Sequence, residues 1–184
     1  MDEAPLTLPE LAGERVRLRA FAERDLPAVL EAATDPLIPV LTTVPAEPDR
    51  ALAAAFLERQ HDRLRSRMGY SFAIADEHDR AIGQIGLWLR DLDRGRVSIG
   101  YWIVPSARRQ GHAVDALTTI TAWGAGLDDV HRLELSVEPW NRASWRTAER
   151  AGYRREGLLR SWEQIGDERR DLFMYSRLAA EVQR

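Results

Sequence analysis

The 184 residues carry 26 basic and 29 acidic side chains, a net charge of −3, and are 45% hydrophobic and 30% charged, with no cysteine. That balance fits one domain burying roughly 70% of its unfolded surface, and the interspersed charge argues against a nucleic-acid binder that works by neutralising phosphates. No apolar run approaches the ~20 residues of a membrane span; every basic side chain is Arg, which removes Schiff-base and P-loop Lys chemistry, and the missing cysteine removes disulfides, thiolate metal sites and a Cys nucleophile.

Residues 1–13, with two Pro and a Gly, read as a flexible lead-in to a single domain over 14–184. The acidic start without an apolar stretch reads as cytoplasmic. Arg15 to Ala20 alternates, which predicts a strand with Val16, Leu18 and Ala20 on one face and three Arg on a wet one. Asp25 is placed to cap a helix with Leu26, Val29, Leu30 and Ala33 on its apolar side. Pro36 to Pro48 holds four of the nine prolines and is expected to be a loop. A second helix is expected over about Asp49 to Met68, carrying Leu52, Phe56, Leu57 and Leu64 inward.

Three β segments, Tyr70 to Ala75, Ala81 to Arg90 and Arg96 to Val104, are joined by short polar connectors and read as an antiparallel meander. Gly111 to Gly126 repeats apolar residues at helical spacing, with Ala113, Ala116, Leu117, Ile120 and Trp123 inward. Arg132 to Glu138 alternates again, so 96–138 predicts a strand–helix–strand unit with a parallel, right-handed crossover. A helix over Ala143 to Arg150 ends at Gly152, and two strands, Tyr153 to Gln164 and Glu168 to Arg177, flank a Gly166-Asp167 turn. The whole is a mixed α/β sheet with helices on its faces. His61, His78, His112 and His131 fall at no metal-ligand spacing, and no metal is expected.

The stretch Ile99 to Leu117 is the most informative. A strand feeds a helix through a Pro-Ser, Arg and Gly loop, so the backbone N–H groups of Arg108 to Ala113 and the unpaired first-turn donors converge on one anion site. The loop lacks both the Gly-Lys-Ser/Thr ending of a P-loop and the three-glycine dinucleotide spacing. Arg108, Gly111 and Ala113 instead match the Arg/Gln-x-x-Gly-x-Gly/Ala pattern of GNAT acetyltransferases. With Gly100-Tyr-Trp, Asn141-Arg-Ala-Ser144 and Ala151-Gly-Tyr153, the chain resembles the ribosomal-protein N-acetyltransferase (RimJ/RimL-like) branch from about Gly13 to Leu178.

The resemblance implies a mostly antiparallel sheet with one splayed parallel pair and helices on both faces. It implies acetyl-CoA as cosubstrate, its pyrophosphate on Arg109, Gln110, Gly111, His112 and Ala113 with charge from Arg108. Its arm would lie along the backbone of Tyr101, Trp102 and Ile103 where Gly100 marks a bulge, with Asn141 bonding the arm or capping the next helix. Ser144 is the implied general acid, since the usual tyrosine position falls near Ala148. Where the family often has a glutamate, two residues before the glycine, Ser98 stands here, and Glu138 is the substitute general base. At pH 7 an α-amine of pKa near 8 is about 10% neutral and a Lys amine near 10.4 only about 0.04%, so a site without a strong base favours a protein N-terminal α-amine or one of similar basicity. The pocket for it is expected from the 36–48 loop, the helix before it and the hairpin at Trp162. Rival readings are acetylation of a small antibiotic or metabolite amine and a non-catalytic acyl-CoA sensor. No nucleic-acid or membrane partner is expected, and a homodimer stays open.

Overall fold

A computed structural model describes residues 6–183. Eight strands form one sheet in the order β1-β2-β3-β4-β5-β6-β8-β7: β1 Leu11–Ala12, β2 Arg17–Arg19, β3 Gly69–Ala75, β4 Ala81–Trp88, β5 Arg96–Ile103, β6 Arg132–Val137, β7 Arg154–Ile165 and β8 Glu168–Leu178. Every neighbouring pair is antiparallel except β5 and β6. The helices are α1 Leu26–Ala33, α2 Ile38–Leu41, α3 Arg50–Arg65, α4 His112–Gly124, α5 Arg142–Arg150 and α6 Ala179–Val182. The expected mixed sheet with its single parallel pair is therefore the observed one. Among the described residues no helix is long and apolar enough to cross a membrane.

The strand period assigns the two faces. Phe72 packs edge-on against Trp123 of α4, while its neighbour Ser71 donates to Gln60 of α3 at 3.0 Å. Adjacent side chains on a strand point oppositely, so α3 and α4 cover opposite faces. On the α4 side Ala116, Leu117 and Ile120 are fully buried, at the positions their helical spacing selects. On the α3 side a closed polar chain links Gln60, Ser71, Gln84 and the Trp102 indole, which donates to Gln84 at 2.8 Å. Trp102 is thus a core side chain, and only its backbone is left for a ligand.

Several local expectations change. Leu11 and Ala12, inside the segment read as a lead-in, pair with Leu18 and Arg17; residues 1–5 of that segment lie outside the described residues. A four-residue helix, α2, forms within the Pro-rich 36–48 stretch because the Asp35 carboxylate accepts from the N–H groups of Leu37 and Ile38 and Pro39 sits in its first turn. Arg19 is buried, not on a wet face: its guanidinium takes both oxygens of Asp25 at 2.7 and 2.9 Å. Asp25 is consequently occupied and makes no side-chain cap to α1. In α3, Leu52 is exposed and Ala53 takes its inward place. The Gly152 expectation holds: its φ of 84° ends α5, with Tyr153 N–H returning to the Ala148 carbonyl.

At the far edge Arg132 is gripped by Glu134 and Glu156, and Ser176 donates to Glu156 at 2.6 Å. Arg132 foremost, then Ser176, holds the Glu156 carboxyl at about 2, from 4.5. Its folded value lies below its unfolded one, so this contribution is complete above about pH 4.5 and is lost as pH falls towards 2. Urea midpoints should fall less steeply across that window in Glu156→Gln than in the native chain. The difference is small because the carboxylate is half-exposed, and identical slopes would remove Glu156 from the acid transition.

Candidate active site

β5 and β6 pair only over Arg96–Ser98 with Arg132–Glu134. β5 then runs on beside β4 as far as Ile103, and β6 beside β8 as far as Val137. From Ile99 and Leu135 onward the two strands diverge, leaving facing inner edges whose backbone groups would have met in a continuous sheet. Gly100 stands opposite Gly86 without a register shift, so the expected bulge is absent; the opening comes from loss of the β6 partner. The residues expected along the arm, Tyr101, Trp102 and Ile103, do lie on the free edge.

β5 continues into a 3₁₀ turn at Pro105–Ala107 and then the loop before α4. Arg109 and Gly111 both adopt left-handed φ, 63° and 87°, and Gly111 is the N-cap of α4. Alternating hand turns successive N–H groups to one side, and the first-turn donors of this 13-residue helix add to them. Among the described residues the N–H groups of Arg109, Gln110 and Gly111 reach no carbonyl. The cradle therefore fits a phosphate. Its underside is fixed from α1 and the turn after it: Glu31 accepts from Ser106 N–H and Oγ at 2.9 and 3.0 Å, and Asp35 binds Arg108 at 2.8 Å. Burial opposes ionisation of Asp35, but the Leu37 and Ile38 N–H groups and Arg108 outweigh it and hold the carboxyl below its usual range. Arg108, which also donates to the Ile103 carbonyl, is thereby a brace of the loop, and the charge expected of it is shared with Asp35. His112 is turned back to the Ala107 carbonyl at 3.2 Å.

Across the opening, Asn141 caps α5 by accepting from Ser144 N–H at 3.2 Å. This occupies its Oδ1 and leaves its amide donors. The Ser144 hydroxyl lies 3.1 Å from the Tyr101 hydroxyl, a contact between residues 43 positions apart that local spacing could not reveal. Burial pushes the Tyr101 phenol up, opposed by its bonds with Ser144 and Thr147, so it stands neutral as a donor. Tyr101 shares a row with Ile85 and Phe72 and hence the α4 face.

The opposite face presents Ser98 and Gly100, both exposed. Trp88 lies across Gly86, where an added Cβ would come 2.3 Å from its ring, and Arg63 stacks on it at 4.8 Å. Burial, then the neighbouring Arg59, pulls the Arg63 guanidinium down, yet it holds the 36–48 loop by donating to Thr43. Beside Ser98 stands Glu134, but Arg132 claims it. Glu138 differs: it is 5% exposed, Oε2 has no hydrogen-bond partner among the described residues, and Oε1 lies 3.9 Å from Arg170 Nε. It is neither a solvated nor a capping glutamate. Trp140 and Trp162 are exposed.

An acetyltransferase (GNAT) domain model matches residues 15–154. The chain is 27% identical over 169 residues to an uncharacterized N-acetyltransferase, p20, of Bacillus licheniformis, covering 91% of this chain and 95% of that one. In fold it is similar to Mycobacterium smegmatis RimJ in complex with CoA-disulfide, with a TM-score of 0.77, 22% identity and coverage of 98% and 90% of the two chains. It is also similar to the microcin C7 self-immunity acetyltransferase MccE in complex with acetyl-CoA and AMP, at a TM-score of 0.78, 18% identity and coverage of 90% and 93%. The divergent β5–β6 pair, the phosphate cradle and the family match over most of the chain agree, and enzymes of this kind outweigh the sensor reading: the chain belongs to the GNAT family of acetyltransferases, which take their acetyl group from acetyl-CoA.

Proposed function

We propose that the chain, as a single cytoplasmic domain that takes in the Leu11–Ala12 strand, transfers acetyl from acetyl-CoA to a protein N-terminal α-amine by direct attack. The observation that carries this is the divergence of β5 from β6 immediately ahead of the left-handed Arg109–Gly111 cradle. Bound acetyl-CoA supplies an activated thioester. The N–H groups of Arg109 to Ala113 hold its diphosphate, the β5 edge at Tyr101 to Ile103 and the free amide donors of Asn141 hold its arm, and the Ser144 hydroxyl, steadied by Tyr101, donates the proton that the leaving sulfur requires. Glu138, with one unpaired buried oxygen, takes the proton released when the amine nitrogen bonds the acetyl carbon, directly or through one water. No carboxylate stands at Ser98, so the site relies on an amine already partly neutral at pH 7. That favours an α-amine over a Lys side chain.

The likeness to an acetyltransferase crystallised with AMP supports a second reading, a small amine as acceptor. Thiol release with a panel of peptides and small amines separates the two. Peptides with free N-termini should turn over, their Nα-blocked forms should not, and turnover confined to small amines would overturn the terminus reading. Ser144→Ala should lower turnover about 100-fold with the acetyl-CoA KM little changed, and Glu138→Gln should lower kcat about 100-fold as well. Native turnover in Glu138→Gln would remove Glu138 from the reaction.

A further inference from the structure

We propose that Arg15 is a phosphate-binding residue of the acetyl-CoA site, a role that rests on the loop reading above. By alternation Arg15 is only one of three arginines on a strand's wet face, yet β2 begins at Arg17 and Arg15 sits in the turn before it. That turn is fastened to the first turn of α4. The Asp115 carboxylate accepts from the N–H groups of Glu14, Arg15 and Val16 at 3.2, 2.7 and 3.0 Å. Gly13 permits the approach, since a Cβ there would lie 2.5 Å from Asp115 Oδ2 and 2.7 Å from Thr119 Oγ1. The clasp lays the Arg15 side chain against the cradle: a Cβ on Gly111 would meet its Cδ at 3.7 Å and its Nε at 3.8 Å.

Arg15 forms hydrogen bonds through its backbone N–H, and among the described residues its exposed guanidinium has no partner. Arg108, expected to charge the loop, is held by Asp35 and the Ile103 carbonyl. The open cleft beside Gly111 is lined by Arg15, Arg109 and Arg150 but also by Glu10 and Glu14, so the sum of charges selects nothing. Placement does: the guanidinium groups of Arg109 and Arg150 are also unpaired among the described residues, but Arg15 is the one that a backbone clasp lays within 3.8 Å of a Cβ at Gly111, and its planar fork suits two phosphate oxygens at once. The shared ligand chemistry is a phosphate of the cosubstrate, either its diphosphate or its 3′-phosphate.

Calorimetric titration of the full chain with acetyl-CoA and with its 3′-dephospho analogue tests this. Arg15→Gln should bind acetyl-CoA about tenfold or more weakly, and Arg15→Lys should recover part of the loss. An equal loss for the dephospho analogue identifies the diphosphate as the partner; an analogue bound equally by native and Arg15→Gln chains identifies the 3′-phosphate. The side chain anchors nothing in the fold, so the ligand-free thermal midpoint should stay unchanged. Native affinity in Arg15→Gln alongside lost binding in Gly111→Glu overturns the role of Arg15 alone. Native affinity in both variants overturns the loop reading with it.

Discussion

Gly111→Glu should bind acetyl-CoA about 100-fold or more weakly than the native chain, measured by titration of the purified protein. Gly111 occupies φ 87°, where an L-residue costs roughly 1–2 kcal/mol. Either the chain keeps that strained conformation or it relaxes, and relaxation turns the N–H groups of Gly111 and His112 away from their common point. The added carboxylate then places a negative charge where the diphosphate is to sit, and a like charge at ~4 Å opposes it by several kcal/mol at a surface dielectric. Space is not the obstacle, since a Cβ meets nothing nearer than the Arg15 side chain at 3.7 Å. The order of affinity should therefore follow conformation and charge: Gly, then Asn, which tolerates the left-handed region, then Ala, then Glu. A ligand-free stability loss of no more than about 2 kcal/mol would show that lost binding is not unfolding. Binding by Gly111→Glu within threefold of native would end the assignment of this loop to phosphate.

The cradle was legible because its signals are local. Pro105, Gly111 and the helical period after it lie within one strand–loop–helix passage, where residue type dictates φ and hydrogen-bonding partners. The parallel pairing of β5 and β6 was legible for a similar reason, being the consequence of one crossover helix. What failed depends on distant partners. A two-residue strand and a four-residue helix span only about one hydrophobic period, so β1 and α2 show no repeat of their own and exist through β2 and Asp35. The supposed bulge at Gly100 failed because divergence belongs to β6 as much as to β5. Arg108 and Tyr101 show the same limit in side chains. Their types stand in the sequence, but Asp35 and Ser144, which fix what those groups can do, are chosen only by the fold. The sequence places Glu138 at a strand end, whereas its burial with an unpaired oxygen is a tertiary property.

Asp25→Ala should be the most destabilising of the substitutions considered, by about 3–5 kcal/mol. Arg19 is 4% and Asp25 2% exposed, and the pair is bidentate. Asp25 Oδ2 also accepts from the Ala22 N–H at 2.8 Å, and Asp79 binds the remaining guanidinium edge through Nε at 2.7 Å. These bonds, led by Asp25 and opposed by burial, push the Arg19 ionisation further up; without Asp25 the guanidinium still keeps its charge, since arginine does not deprotonate in proteins. One N–H of each terminal guanidinium nitrogen and the part-buried Ala22 N–H then lose their acceptor, while Nη1 and Nη2 keep only the Ala20 and Asp79 carbonyls; deletion of one member of a buried pair is the case that costs most. At roughly 2–4 °C per kcal/mol for a chain of this length, the thermal midpoint should fall by about 10 °C. Replacing both members by apolar residues, as in Arg19→Met with Asp25→Leu, should recover much of the loss, because no isolated charge is left. The pair fixes the start of α1, the helix whose Glu31 and following Asp35 brace Ser106 and Arg108 under the cradle. Asp25→Ala should therefore also weaken acetyl-CoA binding below its own melting transition, whereas unchanged affinity there would confine the pair to stability.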